Sequence, residues 1–328
     1  MFNDKTVLVT GGTGSFGEYF VFQLLKLYRP KKVIVFSRDE FKQFRMQKKS
    51  QYNEKCRFFL GDIRDITRLK TAFNNVDYVI HAAALKQVPT LEYNPFEAIK
   101  TNIIGSQNVI EAAIEKQVKK VLLISTDKAV HPINLYGATK LCAEKLFISS
   151  NAYSPNKTFF SVVRYGNVLG SRGSIVETLL KSKSQKAKIT SMEMTRFWIN
   201  LNQAFQLVNF ALKNMVGGEI FVPKIPSMKL VDLFNILRPK EKKEIMGIRP
   251  GEKIHEELIS TDEAKNTFNL DKYYVVLPNY ITWGSKTMYD KYKKLGTRVD
   301  NNFCYTSNAN NQWLTKTDLE KQIRALTE

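Results

Sequence analysis

Histidine and cysteine are scarce in this chain of 328 residues, with three of each. His81, His131 and His255 show no ligand spacing, and Cys56, Cys142 and Cys304 lie far apart and are odd in number. Neither a metal site nor a disulfide frame is expected from them, and free thiols suit a reducing cytoplasm. No apolar run approaches the roughly 20 residues that cross a bilayer, so no membrane partner is expected. The opening stretch MFNDKTVLVTGG runs straight into a strand pattern, without the basic start and apolar core of a secretory leader. Acids are also few, 31 against 50 Lys and Arg, which leaves a formal charge of +19. Such an excess suits nucleic acid, but runs such as RPKEKKE are broken by acids or proline, and no nucleic-acid-binding signature accompanies them. Binding of small anionic molecules is the favoured reading, with no nucleic-acid partner.

What the chain has in abundance is alternation. Its length allows one large or two interleaved domains. The runs TVLVTG, KVIVFS, RFFLGD, VDYVIHAA, KVLLIST and FFSVVRYG are separated by helical patterns, for example over 16–28 and 95–116. Continuous Val, Ile, Leu and Phe suit strands covered on both faces, so the expectation is an α/β fold with a doubly wound parallel Rossmann sheet. After about Asn167 the alternation weakens, with one further clear strand in GGEIFVPKI. Residues 1–166 are therefore expected to form the cofactor-binding Rossmann domain. Residues 167–328 are expected to form mainly a smaller substrate-binding lobe, partly interleaved with it. The short TSNANNQW is expected to be an ordered turn anchored by Trp313.

The stretch VLVTGGTGSFGEYF sets Gly11, Gly14 and Gly17 between a strand and a helix, with Thr13, Ser15 and Phe16 among them. Glycines there let backbone N–H groups and a helix N-terminus reach a pyrophosphate, which favours a dinucleotide. At the end of the second strand an acid would hold an NAD ribose, but here Ser37 and Arg38 occupy the tip, with Lys42 a turn later. A hydroxyl and two cations favour NADP, while Asp39 keeps NAD open. Asp62 in GDIRD is expected at the adenine, with Ile63 against the ring. Ala82 to Ala84 allow the cofactor to pass closely, or serve only helix packing.

The stretch STDKAVHPINLYGATK carries Tyr136 and Lys140, one helical turn apart. An ammonium beside a phenol favours the phenolate, so the tyrosine can take a proton from an alcohol. The same spacing occurs at Tyr28/Lys32, Tyr153/Lys157 and Tyr289/Lys293. Context separates Tyr136, which follows a strand ending in Ser125 and Thr126 and a turn in which Pro132 and Asn134 can start a helix.

With TGGTGSFG and YGATK, this resembles the extended short-chain dehydrogenase/reductase superfamily. Thr126-Asp127-Lys128, with SRDEFKQ, HAAALKQVP, TNIIGSQNV, RYGNVLGSRGS, MTRFWI, VPKIPSMK and GIRPGEKIHE, is similar to its configuration-inverting UDP-N-acetylglucosamine 4,6-dehydratases, in particular those that start pseudaminic acid synthesis. The resemblance implies that Tyr136 takes the 4-hydroxyl proton, that Lys140 keeps Tyr136 ionisable and holds the nicotinamide ribose, and that Tyr136, Lys140 and Lys86 contact the cofactor. It implies that Thr126 bonds the oxygen on carbon 4, that Lys128 removes the carbon 5 proton, and that Asp127 protonates the departing 6-hydroxyl. It requires Lys128 neutral and Asp127 protonated for part of the cycle. It further implies Lys86, Asn167, Val168, Arg172, Thr190, Met194, Arg249 and Glu252 as substrate contacts, and a homo-oligomer. A UDP-sugar 4-epimerase or a retaining dehydratase remains the alternative, and a non-catalytic Rossmann protein a more distant one.

Overall fold

The computed structural model describes residues 1–49, 52, 54–181 and 186–327. The six apolar runs form the parallel strands β1 (Thr6–Thr10), β2 (Lys32–Ser37), β3 (Cys56–Leu60), β4 (Tyr78–His81), β5 (Lys120–Thr126) and β6 (Phe159–Tyr165). They lie side by side in the order β3-β2-β1-β4-β5-β6. All of β1 and nearly all of β2, β5 and β6 are buried, as their unbroken apolar composition demands. β3 departs from that expectation: it is the sheet's edge, and Arg57 and Leu60 are exposed there.

The faces are covered by α1 (Ser15–Leu27), α2 (Glu40–Gln47), α3 (Ile66–Ala72), α4 (Val88–Tyr93), α5 (Pro95–Ala98), α6 (Gly105–Glu115) and α7 (Leu135–Ser149). The continuous helix expected over 95–116 is interrupted, because Ile99–Ile104 widens into a π turn between α5 and α6. The bulge turns Asn102 inward. Its Nδ2 donates to the Leu85 carbonyl (2.9 Å) and to Thr139 Oγ1 (3.0 Å), and its Oδ1 accepts from the Leu85 N–H (2.8 Å). One side chain thus fixes the loop after β4 to α7.

The second half of the chain does two things. It supplies β7 (Asn167–Val168), α8 (Ile175–Lys181), β8 (Lys186–Ile189), β9 (Thr195–Ile199), α9 (Leu201–Asn214), β10 (Ile220–Pro223), β11 (Ser227–Lys229), α10 (Leu230–Leu237), β12 (Lys242–Ile245) and β13 (Glu257–Ile259). It then adds β14 (Thr267–Asn269), β15 (Tyr273–Val276), β16 (Thr297–Arg298) and β17 (Tyr305–Thr306). β10 joins β6 in parallel, and β15, β14 and β16 follow antiparallel, so the central sheet has ten strands. A separate small core around Met194, Trp198, Leu233 and Phe234 builds the lobe. Among the described residues no helix is long and apolar enough to cross a membrane. The turn at 306–313 is ordered, but its buried anchor is Asn310, which donates to the Ile225 carbonyl (2.8 Å) and Ser227 Oγ (2.9 Å); Trp313 is 44% exposed.

The sheet and α7 are tied by a buried ionic network. Arg164 on β6 meets Glu144 on α7 at 2.6 Å and Glu263 at 2.9 Å, and also donates to the Leu258 carbonyl (2.9 Å). Glu144 accepts in turn from Ser125 Oγ at the end of β5 (2.5 Å). Arg164 and Glu144 are each 1% exposed, so removing one partner strands the other charge. Arg164→Ala is expected to cost about 3–5 kcal/mol in denaturant unfolding, and Arg164→Met combined with Glu144→Leu to recover part of that loss.

Candidate active site

A cleft of about 820 Å³ opens at the carboxyl ends of the parallel strands, where the strand order reverses between β1 and β4. Its floor at one end is the glycine turn. Gly11 has φ +65, and a Cβ on it would lie 2.8 Å from the Ala83 nitrogen. A Cβ on Gly17 would lie 2.5 Å from the Gly11 carbonyl oxygen, so α1 can settle on the turn only as glycine. The N-cap Gly14 offers no side chain to the first turn of α1, leaving those N–H groups to an anion from the cleft. Thr13, Ser15, Phe16 and Ala82 line the same end. These donors fit the pyrophosphate of a dinucleotide.

Ser37, Arg38, Lys42, Asp62 and Ile63 also line this end. Asp39 is engaged as the N-cap of α2, accepting from the Lys42 N–H (2.9 Å), and its other oxygen pairs with Lys42 Nζ (2.7 Å). Asp62 is held below the usual carboxylate range because bonds and charge from Arg64, with Arg38 further off, outweigh its burial. Ile63 is buried over Gly105, where a Cβ would strike its Cδ1 at 2.6 Å. Arg172 folds over the glycine turn: its backbone N–H donates to Ser15 Oγ (2.9 Å) and its guanidinium to the Thr13 carbonyl.

At the centre, β5 ends in Thr126 and passes into one 3-10 turn, Asp127–Ala129. Asp127 is fully buried and stands behind the cleft wall; Thr126 and Lys128 line it. Thr126 Oγ1 donates to Asp127 Oδ1 (2.9 Å), and Lys128 Nζ pairs with the same oxygen (3.1 Å). His131 then takes a left-handed backbone (φ 41), with its ring on Glu257 (2.8 Å), and reverses the chain. Asn134 caps α7 by accepting from the Gly137 N–H (2.8 Å), as its place in the sequence implies. It also donates to the Gly251 carbonyl (2.8 Å), which fixes the loop bearing Arg249 and Glu252 over the helix start. Tyr136 and Lys140 follow on the face of α7 toward the cleft.

The two lysines differ sharply. Burial brings Lys140 down to about 8 despite Glu144, and its Nζ donates to the Ile124 carbonyl (2.8 Å). Burial also opposes the charge on Lys128, but Asp127 and Glu256 outweigh it and raise Lys128 above the ordinary lysine value. Burial and the Glu256 carboxylate raise Asp127, against the pull of Lys128. Tyr136 is pushed up to about 12 by burial, with Asp127 adding to the rise and Lys128 and the Thr126 hydroxyl opposing it. The cation that favours its phenolate is thus Lys128, whereas Lys140 turns to the β5 backbone.

Lys86, Asn167, Val168, Met194, Arg249 and Glu252 line the remainder of the cleft. Thr190 is not on its wall; it stands behind Glu252, donating to Oε2 (3.2 Å). Two charged lining residues that escaped the sequence reading stand beside Lys128. Glu256, 2% exposed, reaches Lys128 Nζ at 3.3 Å, and Arg196 Nε lies 3.6 Å from the same Glu256 oxygen. Both stand in quoted motifs, GIRPGEKIHE and MTRFWI, but nothing in HEEL distinguishes a buried acid from a surface one until β13 fixes which side faces inward.

Gly137 is where α7 meets the Asp127–Ala129 turn: a Cβ there would lie 2.1 Å from the Lys128 carbonyl oxygen and 3.0 Å from Pro132 Cβ. Gly137→Ala is expected to lower stability by about 1–3 kcal/mol in urea unfolding, as overpacking does, by forcing helix and turn apart.

Comparison with known proteins agrees with this geometry. Residues 7–278 match the family described as Polysaccharide biosynthesis protein. A UDP-N-acetylglucosamine 4,6-dehydratase (inverting) of Campylobacter jejuni is 49% identical over 97% of each chain. A UDP-glucose 4-epimerase of Rickettsia conorii is 43% identical over 84% of this chain and 83% of its own. The X-ray structure of Pen from Bacillus thuringiensis superposes with a TM-score of 0.88 at 38% identity, over 100% of this chain and 99% of that one. The chain belongs to the polysaccharide biosynthesis protein family, among the short-chain dehydrogenase/reductase-type enzymes that include the inverting UDP-N-acetylglucosamine 4,6-dehydratases.

Proposed function

We propose that this enzyme dehydrates UDP-N-acetylglucosamine across carbons 4 to 6 and inverts carbon 5. The product would be UDP-2-acetamido-2,6-dideoxy-β-L-arabino-hex-4-ulose, the starting sugar of pseudaminic acid synthesis. The observation that carries the reading is the turn Thr126-Asp127-Lys128 facing Tyr136 in the cleft of the glycine turn. The near full-length likeness to the Campylobacter dehydratase supports it. The Rickettsia relative's name favours a 4-epimerase, but such a reaction needs no group acting at carbons 5 and 6. Residues 1–166 would bind the cofactor and residues 167–328 mainly the UDP-sugar, with Arg249 and Glu252 at the phosphate and ribose.

NADP is the preferred cofactor, because Asp39 is engaged as a helix cap while Arg38 and Lys42 flank the expected 2′-phosphate. Bound there, it would supply a hydride acceptor for carbon 4 and return the hydride at carbon 6. Tyr136 takes the 4-hydroxyl proton, aided by the Lys128 cation and the Thr126 hydroxyl. The ketone at carbon 4 then acidifies the carbon 5 proton. In the resting site Lys128 is a cation, opposite to what a base needs. Transfer of its proton to Asp127 Oδ1, 3.1 Å away, corrects this in one step. It leaves a neutral amine to take the carbon 5 proton and, behind the wall, a carboxylic acid that passes its proton to the 6-hydroxyl through the Thr126 hydroxyl bonded to it (2.9 Å), without changing the charge of the pair.

The test is to incubate the protein with UDP-N-acetylglucosamine and catalytic NADP in heavy water and follow the products by NMR. A 6-methyl signal with inverted, deuterated carbon 5 is expected; a 4-epimer, or unchanged sugar, defeats the reading. Lys128→Ala is expected to lower carbon 5 exchange by about 10²–10⁴-fold, the contribution of a general base, and unimpaired exchange removes Lys128 from that role. In binding titrations Arg38→Ala is expected to weaken NADP more than NAD; equal weakening argues against a bound 2′-phosphate.

A further inference from the structure

The Lys128 ammonium is gripped from two sides. Asp127 belongs to its own turn, but Glu256 comes from the start of β13, far along the chain, and is held rigidly. The Glu256 N–H donates to Ser307 Oγ (2.9 Å), its carbonyl accepts from the Ser307 N–H (2.8 Å), and Ser307 Oγ meets Thr195 Oγ1 (2.6 Å). Only Oε1 of Glu256 is engaged, by Lys128 at 3.3 Å and Arg196 at 3.6 Å; its buried Oε2 has no hydrogen-bond partner among the described residues. Arg196 is itself fastened to the carbonyls of Thr195 (2.7 Å), Lys253 (2.9 Å) and Ile254 (3.1 Å), so it fixes Glu256 without competing for the reacting sugar. A carboxylate buried to 2% exposure beside two cations is held there by charge, as the cost of burying an unpaired charge requires.

We propose that Glu256 is a positioning residue for the proposed reaction: it aims the Lys128 amine into the cleft and stabilises the ammonium formed when Lys128 takes the carbon 5 proton. The inference rests on the reading of Lys128 as base. The logic is that of a nucleophile–base–orienter triad, in which the third group never touches substrate but sets the base's direction and charge. In the elimination the protons balance: Lys128 gives one to Asp127, Asp127 passes it by way of the Thr126 hydroxyl to the 6-hydroxyl, which leaves as water, and Lys128 recovers one from carbon 5. The proton that returns to carbon 5 is drawn from solvent, and Tyr136 releases to solvent the one it took from the 4-hydroxyl.

The groups that face this centre are Asp127 on the same turn, Glu256 before β13, Arg196 on β9, Tyr136 on α7 and Lys86 after β4. The active pair of Asp127 and Lys128 carries one proton, and the alkaline flank of the pH profile marks its loss. With Glu256 in place that flank lies above the ordinary lysine value of about 10.4. Glu256→Gln keeps the shape and removes the anion, so the flank moves down by about 1–3 pH units. Lys140, brought down to about 8, donates to the Ile124 carbonyl and not to the pair, so its titration is read as a separate inflection, fixed by repeating both profiles in Lys140→Met.

The experiment measures deuterium uptake at carbon 5 by the NADP-loaded enzyme across pH, as kcat and KM, for wild type and Glu256→Gln. The expected result is a flank displaced to lower pH, a kcat lower by up to about 10²-fold and an unchanged KM. Glu256→Asp, which keeps the charge but withdraws it by one methylene, should move the flank less in the same direction. A lowered kcat with an unmoved flank would mean that Glu256 only supports the fold. A raised KM with unchanged kcat would make it a substrate contact, and either result overturns the proposal. If Glu256→Gln does not fold, an unmoved flank in Glu256→Asp overturns it equally. Absence of uptake in the wild type would overturn the dehydratase reading itself, and this inference with it.

Discussion

The buried contact between Arg164 and Glu144 sets the geometry on which the remainder of the site depends. It joins β6 to α7 one turn beyond Lys140, while Ser125 brings the end of β5 to the same carboxylate. The helix is therefore fixed along its axis against the two strands whose ends line the cleft. Glu263 enters the same network from the second half of the chain, so the segment carrying Glu256 is indexed to the sheet as well. A buried ion pair of this kind contributes little net stability, because desolvation consumes most of the Coulombic gain. What it does supply is register. A helix free to slide by one residue would carry Tyr136 about 1.5 Å along its axis, enough to change which part of the cleft it faces.

Against that fixed frame, burial and charge compete differently at each lysine. Lys140 has one carboxylate in its neighbourhood and a backbone carbonyl, and burial prevails. Lys128 has two carboxylates within 3.3 Å, and charge prevails. The same residue type thus serves two ends. One lysine, brought down to about 8, is directed to the β5 backbone; the other is raised above the ordinary lysine value by its two carboxylates. The sign of the outcome follows from counting partners, since each opposite charge within about 4–6 Å is worth about 1–3 pKa units and burial can remove a similar amount.

Much of this was legible in the sequence, and the limits have physical causes. The six parallel strands could be read because a strand covered on both faces must be apolar throughout, and the glycine turn because only glycine permits the Gly11 and Gly17 contacts. Asn134 was legible as a helix start because capping is local chemistry. The π turn was not, since its cause is the reach of Asn102 to Leu85 and Thr139, distant in sequence. Nor was the anchor of the Asn-rich turn: tryptophan carries the larger apolar area, yet Asn310 satisfies buried carbonyl and hydroxyl groups that tryptophan cannot reach. Glu256 was hidden for a related reason. A glutamate's letter does not reveal whether its neighbours are water or a lysine, and the neighbour here lies 128 positions upstream.

The strongly basic composition also has a local explanation. Arg38, Lys42, Lys86, Arg172 and Arg249 line the cleft in addition to Lys128 and Arg196. Several of these cations are paired with acids of the same cleft: Lys42 with Asp39, Arg38 with Asp62, and Lys128 and Arg196 with Glu256. Cations nonetheless outnumber the acids on the lining, from the glycine turn to the 249–252 loop. A dinucleotide and a nucleoside diphosphate sugar each bring a pyrophosphate, and such a cleft can attract both along its length without base-specific contacts. Part of the excess of lysine and arginine is thus gathered in the cleft, where cations suit the anionic groups of small molecules.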